Sequence, residues 1–521
     1  MRPAWCKRPK RARASSDWRQ PRLWNAAWSK QQSSSVLDLG RNCWRIERAG
    51  RAALIVDACD YFHHARKAML AAEKQILMIG WDFDTRIFLD VADAADDADD
   101  GAPATLGSFI SWMARHRPQV SVHILRWDWG ATKLLARGTT LFRLINWART
   151  PQIKFKLDAA HPMGASHHQK IVVIDDKLAF CGGIDMTATR WDTREHRDAD
   201  ERRKRPTTGR HYRPWHDATM AIDGAAARAL GVLARERWTA AGGDPLAEPD
   251  VSGDPWPAKL QPQFRDVEVA IARTRGGHKA LPEIREIEAL FVDMIARTRR
   301  YFYAENQFFA SRVIAEAIAK RLAEPDGPEF VIVNPLTVEG WVEEEVMTPA
   351  RTKLVQTLQK ADPNGRLRVY TPVTRDGCDI YVHSKITIVD GELLRVGSAN
   401  LNNRSMGLDS ECDVLIDGTR AGNDGAAEQI GAILCDLLAE HLGADASAVE
   451  ARFAASGSLV RTIEELRGAG RTLVPLEIKE PNAIEAAIAE REALDPEGAG
   501  EYFEAATRGG LLRRLRAMVR R

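Results

Sequence analysis

Two hydrophobic patterns alternate along most of this chain. Apolar residues recur at helical spacing, then gather into short continuous runs rich in Val and Ile. The first pattern predicts an amphipathic helix and the second a buried strand. Residues 65–84, "ARKAMLAAEKQILMIGWDFD", predict a helix then a strand, and 106–128, "LGSFISWMARHRPQVSVHILRWD", repeat the pair. A further strand is read in "IKFKLDAA". A strand pair with a turn at Asp175-Asp176-Lys177 is read in "HHQKIVVIDDKLAFCGGIDM". A strand in "HDATMAIDG" and the alanine-rich helix "AAARALGVLARERWTAA" follow.

The same order then returns. "IEALFVDMIARTRRYFYAENQFF" is helix then strand, and two more such units follow in 313–335 and 352–372. "HSKITIVDGELLRVGSANL" is a strand pair turning at Asp390-Gly391. "ECDVLIDG" is a strand and "AAEQIGAILCDLLAEHLG" a helix. An internal repeat of helices between short β-branched strands predicts α/β lobes with at least partly parallel sheets.

The breaks in the pattern set the boundaries. A stretch rich in Pro, Gly and Asp at 241–263 reads as a linker between lobes at 36–240 and 264–443. Residues 92–104 read as a solvated acidic loop. The mixed-charge segment 191–214 reads either as a surface loop or as a cover over a site. Residues 444–521 predict a helical appendage ending in the cationic "LLRRLRAMVRR". Residues 1–35, basic and carrying Trp5, Trp18, Trp24 and Trp28, predict a disordered tail, with a headgroup-level anchor as the alternative.

Composition narrows the function classes. At 521 residues the chain is too long for one ordinary domain. A net charge of +2 argues against a nucleic-acid partner. The seven cysteines form no C-x-x-C pair, so neither a disulfide framework nor a cysteine zinc site is indicated, and a reducing compartment fits. No apolar run is long enough to cross a bilayer, and the basic N-terminus lacks the apolar segment of a secretory signal.

The chemistry is concentrated in one repeated pattern. His168, Lys170 and Asp175 stand in "HHQKIVVID", and His383, Lys385 and Asp390 keep the same spacing in "HSKITIVD". His and Lys two apart on a strand share a face. The residues between Lys and Asp are apolar in both copies, so each strand is expected to be buried on both sides and its polar end needs a partner. An imidazole beside a cation suits an anion such as phosphate. Two histidines allow a division of labour, in which one attacks phosphorus and the other moves a proton to and from oxygen. Two lysines offset charge on the non-bridging oxygens. Such chemistry needs no metal, and the acidic clustering of a two-metal phosphatase is not visible. An orienting carboxylate is expected for each ring. Asp217 and Glu411, each opening the strand after a motif, are the candidates, with Asp409 competing.

These stretches resemble the two HKD motifs of the phospholipase D superfamily. The resemblance covers most of 36–440 and takes in "GWDFDTRI", "RWDWG", "GGIDMTATRWD", "RPWHD", "YAENQFF" and "GSANLNNRSMGLDSE". The last four are similar to the larger bacterial and eukaryotic phospholipases D. The resemblance implies a duplicated α/β sandwich, with two pseudo-twofold related lobes sharing one active site. It implies His168 as nucleophile, His383 as acid and base, and a largely structural role for Asp175 and Asp390. It pairs Asp217 with His383 and Glu411 with His168, across the lobes. Ser398 and Asn400 match a phosphate-binding G-S-x-N stretch, Asp185 takes that place in the first copy, and Asn306 is expected to line the pocket.

The expected function is that of a phospholipase D. It would hydrolyse the distal phosphodiester of glycerophospholipids such as phosphatidylcholine to phosphatidic acid and free head group, with transfer to other alcohols. The alternatives are a cardiolipin synthase-like phosphatidyltransferase and a nucleic-acid phosphodiesterase. An inactive lipid-binding scaffold is disfavoured by two intact triads. No cofactor and no metal are expected. The expected partner is a phospholipid membrane surface and not nucleic acid. A monomer is expected because one chain holds both motifs. The expected location is cytoplasmic and peripheral to a membrane, with secretion as the alternative.

Overall fold

The computed structural model describes residues 35–90, 100–128, 139–337 and 341–477, together with Asp495. The predicted basic tail, most of the acidic loop and the cationic C-terminal end lie outside the described residues. The first repeat contributes β1 (Arg45–Val56), β2 (Gln75–Gly80), β3 (Ser121–Trp127), β4 (Ile153–Asp158), β5 (Ile171–Ile174), β6 (Leu178–Gly182), β7 (Trp215–His216) and β8 (Ala218–Asp223). The second contributes β9 (Phe264–Arg275), β10 (Ile284–Arg285), β11 (Tyr301–Glu305), β12 (Glu329–Val333), β13 (Leu367–Val373), β14 (Tyr381–Val382), β15 (Ile386–Val389), β16 (Leu393–Gly397) and β17 (Glu411–Asp417). A last strand, β18 (Thr472–Pro475), follows.

The repeat is written in the strand order. One lobe runs β1-β8-β6-β5-β2-β3-β4 and the other β9-β17-β16-β15-β11-β12-β13. The strands β2, β3 and β4 are parallel, as are β11, β12 and β13, while the motif hairpins pair antiparallel. The two lobes are not separate sheets. β1 and β9 pair antiparallel from Arg45↔Ile271 to Ala52↔Phe264 and fuse them into one continuous sheet. Each lobe keeps its own apolar core. Phe62, Phe109, Trp147 and Phe180 pack in the first, and Phe291, Phe302, Ile314 and Phe330 in the second.

Two sequence expectations change. The segment after 444 is not wholly helical, because β18 adds a strand beside β13 at the sheet edge. His168, Lys170, His383 and Lys385 do not lie on the motif strands. They sit in the irregular segments that lead into β5 and β15. The apolar runs "IVVI" and "ITIV" are the strands, wholly buried as expected. Among the described residues, no helix is long and apolar enough to cross a membrane.

Candidate active site

The motif aspartates turn the hairpins. Asp175 and Asp176 both have positive φ, as do Asp390 and Gly391, the left-handed backbone of a tight turn closed by the N–H of Lys177 to Ile174 and of Glu392 to Val389. Asp175 accepts the backbone N–H groups of Glu73, Lys74 and Gln75 at 2.5, 2.9 and 2.6 Å. Asp390 accepts those of Arg299, Arg300 and Tyr301 at 2.8, 2.9 and 3.0 Å. Each carboxylate thus ties its hairpin to the start of the neighbouring antiparallel strand, β2 or β11, away from the histidines.

Crossing of the lobes builds the site. β7 and β14 pair in parallel, and the His383 N–H continues that ladder to the His216 carbonyl at 2.8 Å. On the other side His167 bridges Ser410 in parallel, and the His168 N–H reaches the Ser410 carbonyl at 2.9 Å. Each motif segment therefore runs beside the segment of the opposite lobe that ends in a carboxylate. His383 Nδ1 meets Asp217 Oδ2 at 2.6 Å. His168 Nδ1 meets both oxygens of Glu411, at 3.1 and 3.0 Å. Asp409 does not compete, because it binds the Ser166 N–H and Arg404 instead.

The lysines repeat the symmetry. Lys170 Nζ donates to the His168 carbonyl at 2.7 Å, and Lys385 donates to the His383 carbonyl. Their second partners differ. Lys170 lies 3.2 Å from Asp185 Oδ2, whereas Lys385 reaches the Gln307 amide oxygen at 3.5 Å.

Burial dominates the electrostatics. It pushes both histidines well below the ordinary imidazole range, and Lys170 and Lys385 push them further. Both rings thereby favour the neutral form until an anion is placed beside them. Burial also lowers the Lys385 ammonium to about 7, against the attraction of Asp217. Burial raises Glu411 to about 8, opposed first by the Ser398 hydroxyl. The hydroxyls of Ser398 and Ser405 donate to Glu411 at 2.5 and 2.7 Å. With the His168 ring, three donors converge on its two oxygens, and these hydrogen bonds favour the ionised form against the effect of burial.

The remaining sequence candidates fall into two groups. The Asn400 amide oxygen is buried and accepts no hydrogen bond. The others brace rather than face the ligand. The Ser398 hydroxyl is committed to Glu411. Asp185 holds Lys170 and accepts the Trp81 N–H at 3.0 Å. Asn306, expected in the pocket, turns its oxygen to the N–H groups of Leu401 and Phe308 at 3.0 and 3.1 Å. That contact fixes the loop carrying Asn400.

Sequence reasoning missed Arg190. It stacks 4.3 Å over the Trp215 ring, and its charge acts on His383, Lys385 and Asp217. The signal was present, because Arg190 lies inside the singled-out stretch "GGIDMTATRWD".

The chain is similar to known proteins. Residues 68–261 match a family model described as Phospholipase D, and 291–430 match one described as Cardiolipin synthase, PLD-like domain. The chain is 24% identical over 428 residues to phospholipase D A of Dictyostelium discoideum, covering 68% of this chain and 32% of that protein. It is 26% identical over 495 residues to phospholipase D alpha 2 of Oryza sativa subsp. japonica, covering 66% of this chain and 58% of that one. The chain thus spans less than two thirds of either relative. Among solved structures, the phosphatidylserine synthase of Haemophilus influenzae Rd KW20 has a similar fold. The TM-score is 0.51 at 14% identity, covering 84% of this chain and 92% of that one.

Proposed function

We propose that this chain, which belongs to the phospholipase D superfamily, hydrolyses the distal phosphodiester of glycerophospholipids through a phosphohistidine on His168. The observation that carries this reading is the pair of cross-lobe contacts, His168 with Glu411 and His383 with Asp217. A carboxylate on Nδ1 keeps the proton there and leaves the Nε2 lone pair free.

In the first step the neutral His168 Nε2 attacks phosphorus, and the bond from phosphorus to the head-group oxygen breaks. His383, protonated on Nε2 once the phosphodiester anion is bound beside it, gives that oxygen its proton. In the second step water attacks the phosphohistidine, His383 takes its proton back from that water, and the phosphorus–nitrogen bond breaks. Phosphatidic acid leaves and both rings are restored. Lys170, Lys385 and the N–H group of the Asn400 amide are the donors proposed for the non-bridging oxygens, where negative charge grows. Arg190 adds a third cation on the His383 side. Asp217, Glu411, Ser398, Asp185 and Asn306 act through the groups they hold. Asp175 and Asp390 maintain the hairpins.

A second reading has a specific support. Residues 291–430 match a model named for cardiolipin synthase, which favours transfer of the phosphatidyl group to an alcohol. An alcohol in place of water in the second step gives that product. Both half-sites lie in one chain, so a monomer suffices, working peripherally at a phospholipid surface, with the cytoplasm as the proposed compartment.

The test is head-group release from mixed phospholipid vesicles with ethanol present, comparing the wild type with His168→Ala and His383→Ala. Phosphatidic acid and phosphatidylethanol, both absent with either variant, are expected. His-dependent nicking of plasmid DNA without lipid turnover would overturn the substrate class.

A further inference from the structure

A second buried cluster of ionisable side chains lies behind β7, and the reaction does not use it. Asp57 precedes the helix Ala58–Leu70, His196 sits in the loop 191–214, His216 is on β7, and Glu440 is in the last turn of the helix Ala426–Leu442. All four are buried. One ligand atom from each lies within 4.8 Å of every other. His196 Nε2 is 3.1 Å from Glu440 Oε1 and 3.5 Å from Asp57 Oδ2. His216 Nδ1 is 2.7 Å from Glu440 Oε1 and 3.6 Å from Asp57 Oδ1.

Two independent observations point from this cluster to a cation. The first is that Asp57 Oδ2 and His216 Nδ1 are buried and make no hydrogen bond. The second is the far side of each ring. His196 Nδ1 is held by Asp192 Oδ2 at 3.1 Å, and His216 Nε2 by Glu305 Oε2 at 2.7 Å. A histidine that gives one nitrogen's proton to a carboxylate aims the other nitrogen's lone pair at a metal. Both histidines carry such a carboxylate, and their other nitrogens converge on Glu440 Oε1, His196 Nε2 through a hydrogen bond of 3.1 Å whose proton an ion would displace and His216 Nδ1 at 2.7 Å without one. The remaining oxygen of Glu440 is taken by Arg194.

We propose that Asp57, His196, His216 and Glu440 bind one divalent transition-metal ion of the zinc type. Two imidazoles and two carboxylates are a donor set such an ion accepts, and four protein ligands with no open position describe a structural site. The two carboxylates balance the charge of the ion. The adjacent trio His216, Glu305 and His441 is a poorer site, because Glu305 already takes four donors. Those are His216, Ser384, Tyr303 and His441, at 2.7, 2.8, 2.7 and 3.0 Å. The ion clips the loop 191–214 and the helix Ala426–Leu442 to β7. Asp217 is the next residue, so the clip also steadies the carboxylate that orients His383.

The experiment uses the full chain, purified without added metal and dialysed. Elemental analysis should find about one zinc-type ion per chain. Replacement with Co²⁺ should give the visible absorption of a tetrahedral cobalt site. Asp57→Asn keeps the acceptor for the Asp217 N–H but loses a charged ligand, and should retain at least about tenfold less metal. A chelator should lower the Tm of the wild type and not that of Asp57→Asn. If Asp57→Asn does not fold, His196→Gln replaces it. No ion in the folded wild type, no cobalt spectrum and a Tm indifferent to chelator would overturn the proposal. The cluster would then be a pair of protonated histidines between carboxylates. His168→Ala should keep its metal, so failure here and failure of the phosphohistidine reading are distinguishable.

Discussion

The two halves of the active site are built to one plan and finished differently. His168 and His383 hold equivalent places, and so do Lys170 and Lys385. Around His168 the carboxylate is long, accepts the ring with both oxygens, and is itself held by two hydroxyls. Around His383 the carboxylate is short and binds the ring with one oxygen, while its other accepts the Ala218 N–H at 2.8 Å. The residue at the corresponding hairpin end explains part of this. Ser398 supplies a hydroxyl to Glu411, whereas Gly183 stands at that place beside Asp217. A Cβ on Gly183 would fall 2.2 Å from Asp217 Oδ1, so only glycine leaves room for the pair. The His168 side chain is 15% exposed and the His383 side chain 5%, so the first ring is the more open to an incoming phosphorus. A duplication thus supplies two equivalent histidines, and small changes around them divide the labour.

The largest effect should come from the rings. His168→Ala and His383→Ala are each expected to lower kcat by at least about a thousandfold, the scale of losing a nucleophile or general acid. Equal, small losses would break the claim that both rings act. The lysines should come next and should differ. Lys385→Met is expected to cost about 10²–10³ in kcat/KM. Lys170→Met should cost less, because Asp185 already offsets part of its charge. The reverse order, measured on vesicles, would contradict the asymmetry.

Two further changes test where the halves are alike. Asp175→Ala and Asp390→Ala each leave three backbone N–H groups without their carboxylate. Each should lose about 3–5 kcal/mol of stability in chemical denaturation, by similar amounts. The pH profile separates the halves again. Lys385 is charged below about 7 and neutral above it, so kcat/KM should fall as pH rises through about 7. Lys385→Arg keeps its charge, and that limb should move to higher pH. The smallest effect should be Ser398→Gly, which makes the second hairpin end like the first. About a tenfold loss in kcat is expected, from one hydroxyl less on Glu411.

Much of this could be read from the chain, and the exceptions have physical reasons. The motif spacing, the two orienting carboxylates and the repeat are local patterns of apolar runs and charges. β1 and β9 escaped because Arg45, Glu47 and Arg48, and Arg265, Asp266 and Glu268, interrupt their apolar character. Those strands join the lobes, so the fused sheet was also hidden. β18 is four residues inside a segment of helical composition. Ser398 and Asn306 match stretches expected in the pocket yet turn away from it, because spacing names a residue but not the direction of its side chain. The cluster of Asp57, His196, His216 and Glu440 draws on distant positions, and no periodicity links them.

The central claim is that His168 carries the phosphoryl group while His383 moves the proton. The direct measurement is mass spectrometry of His383→Ala after incubation with phosphatidylcholine vesicles. The account predicts a phosphatidyl adduct on the peptide containing His168, because the first step can proceed slowly and the second stalls. Absence of any adduct there, with an adduct on His383 in the His168→Ala variant, would contradict it.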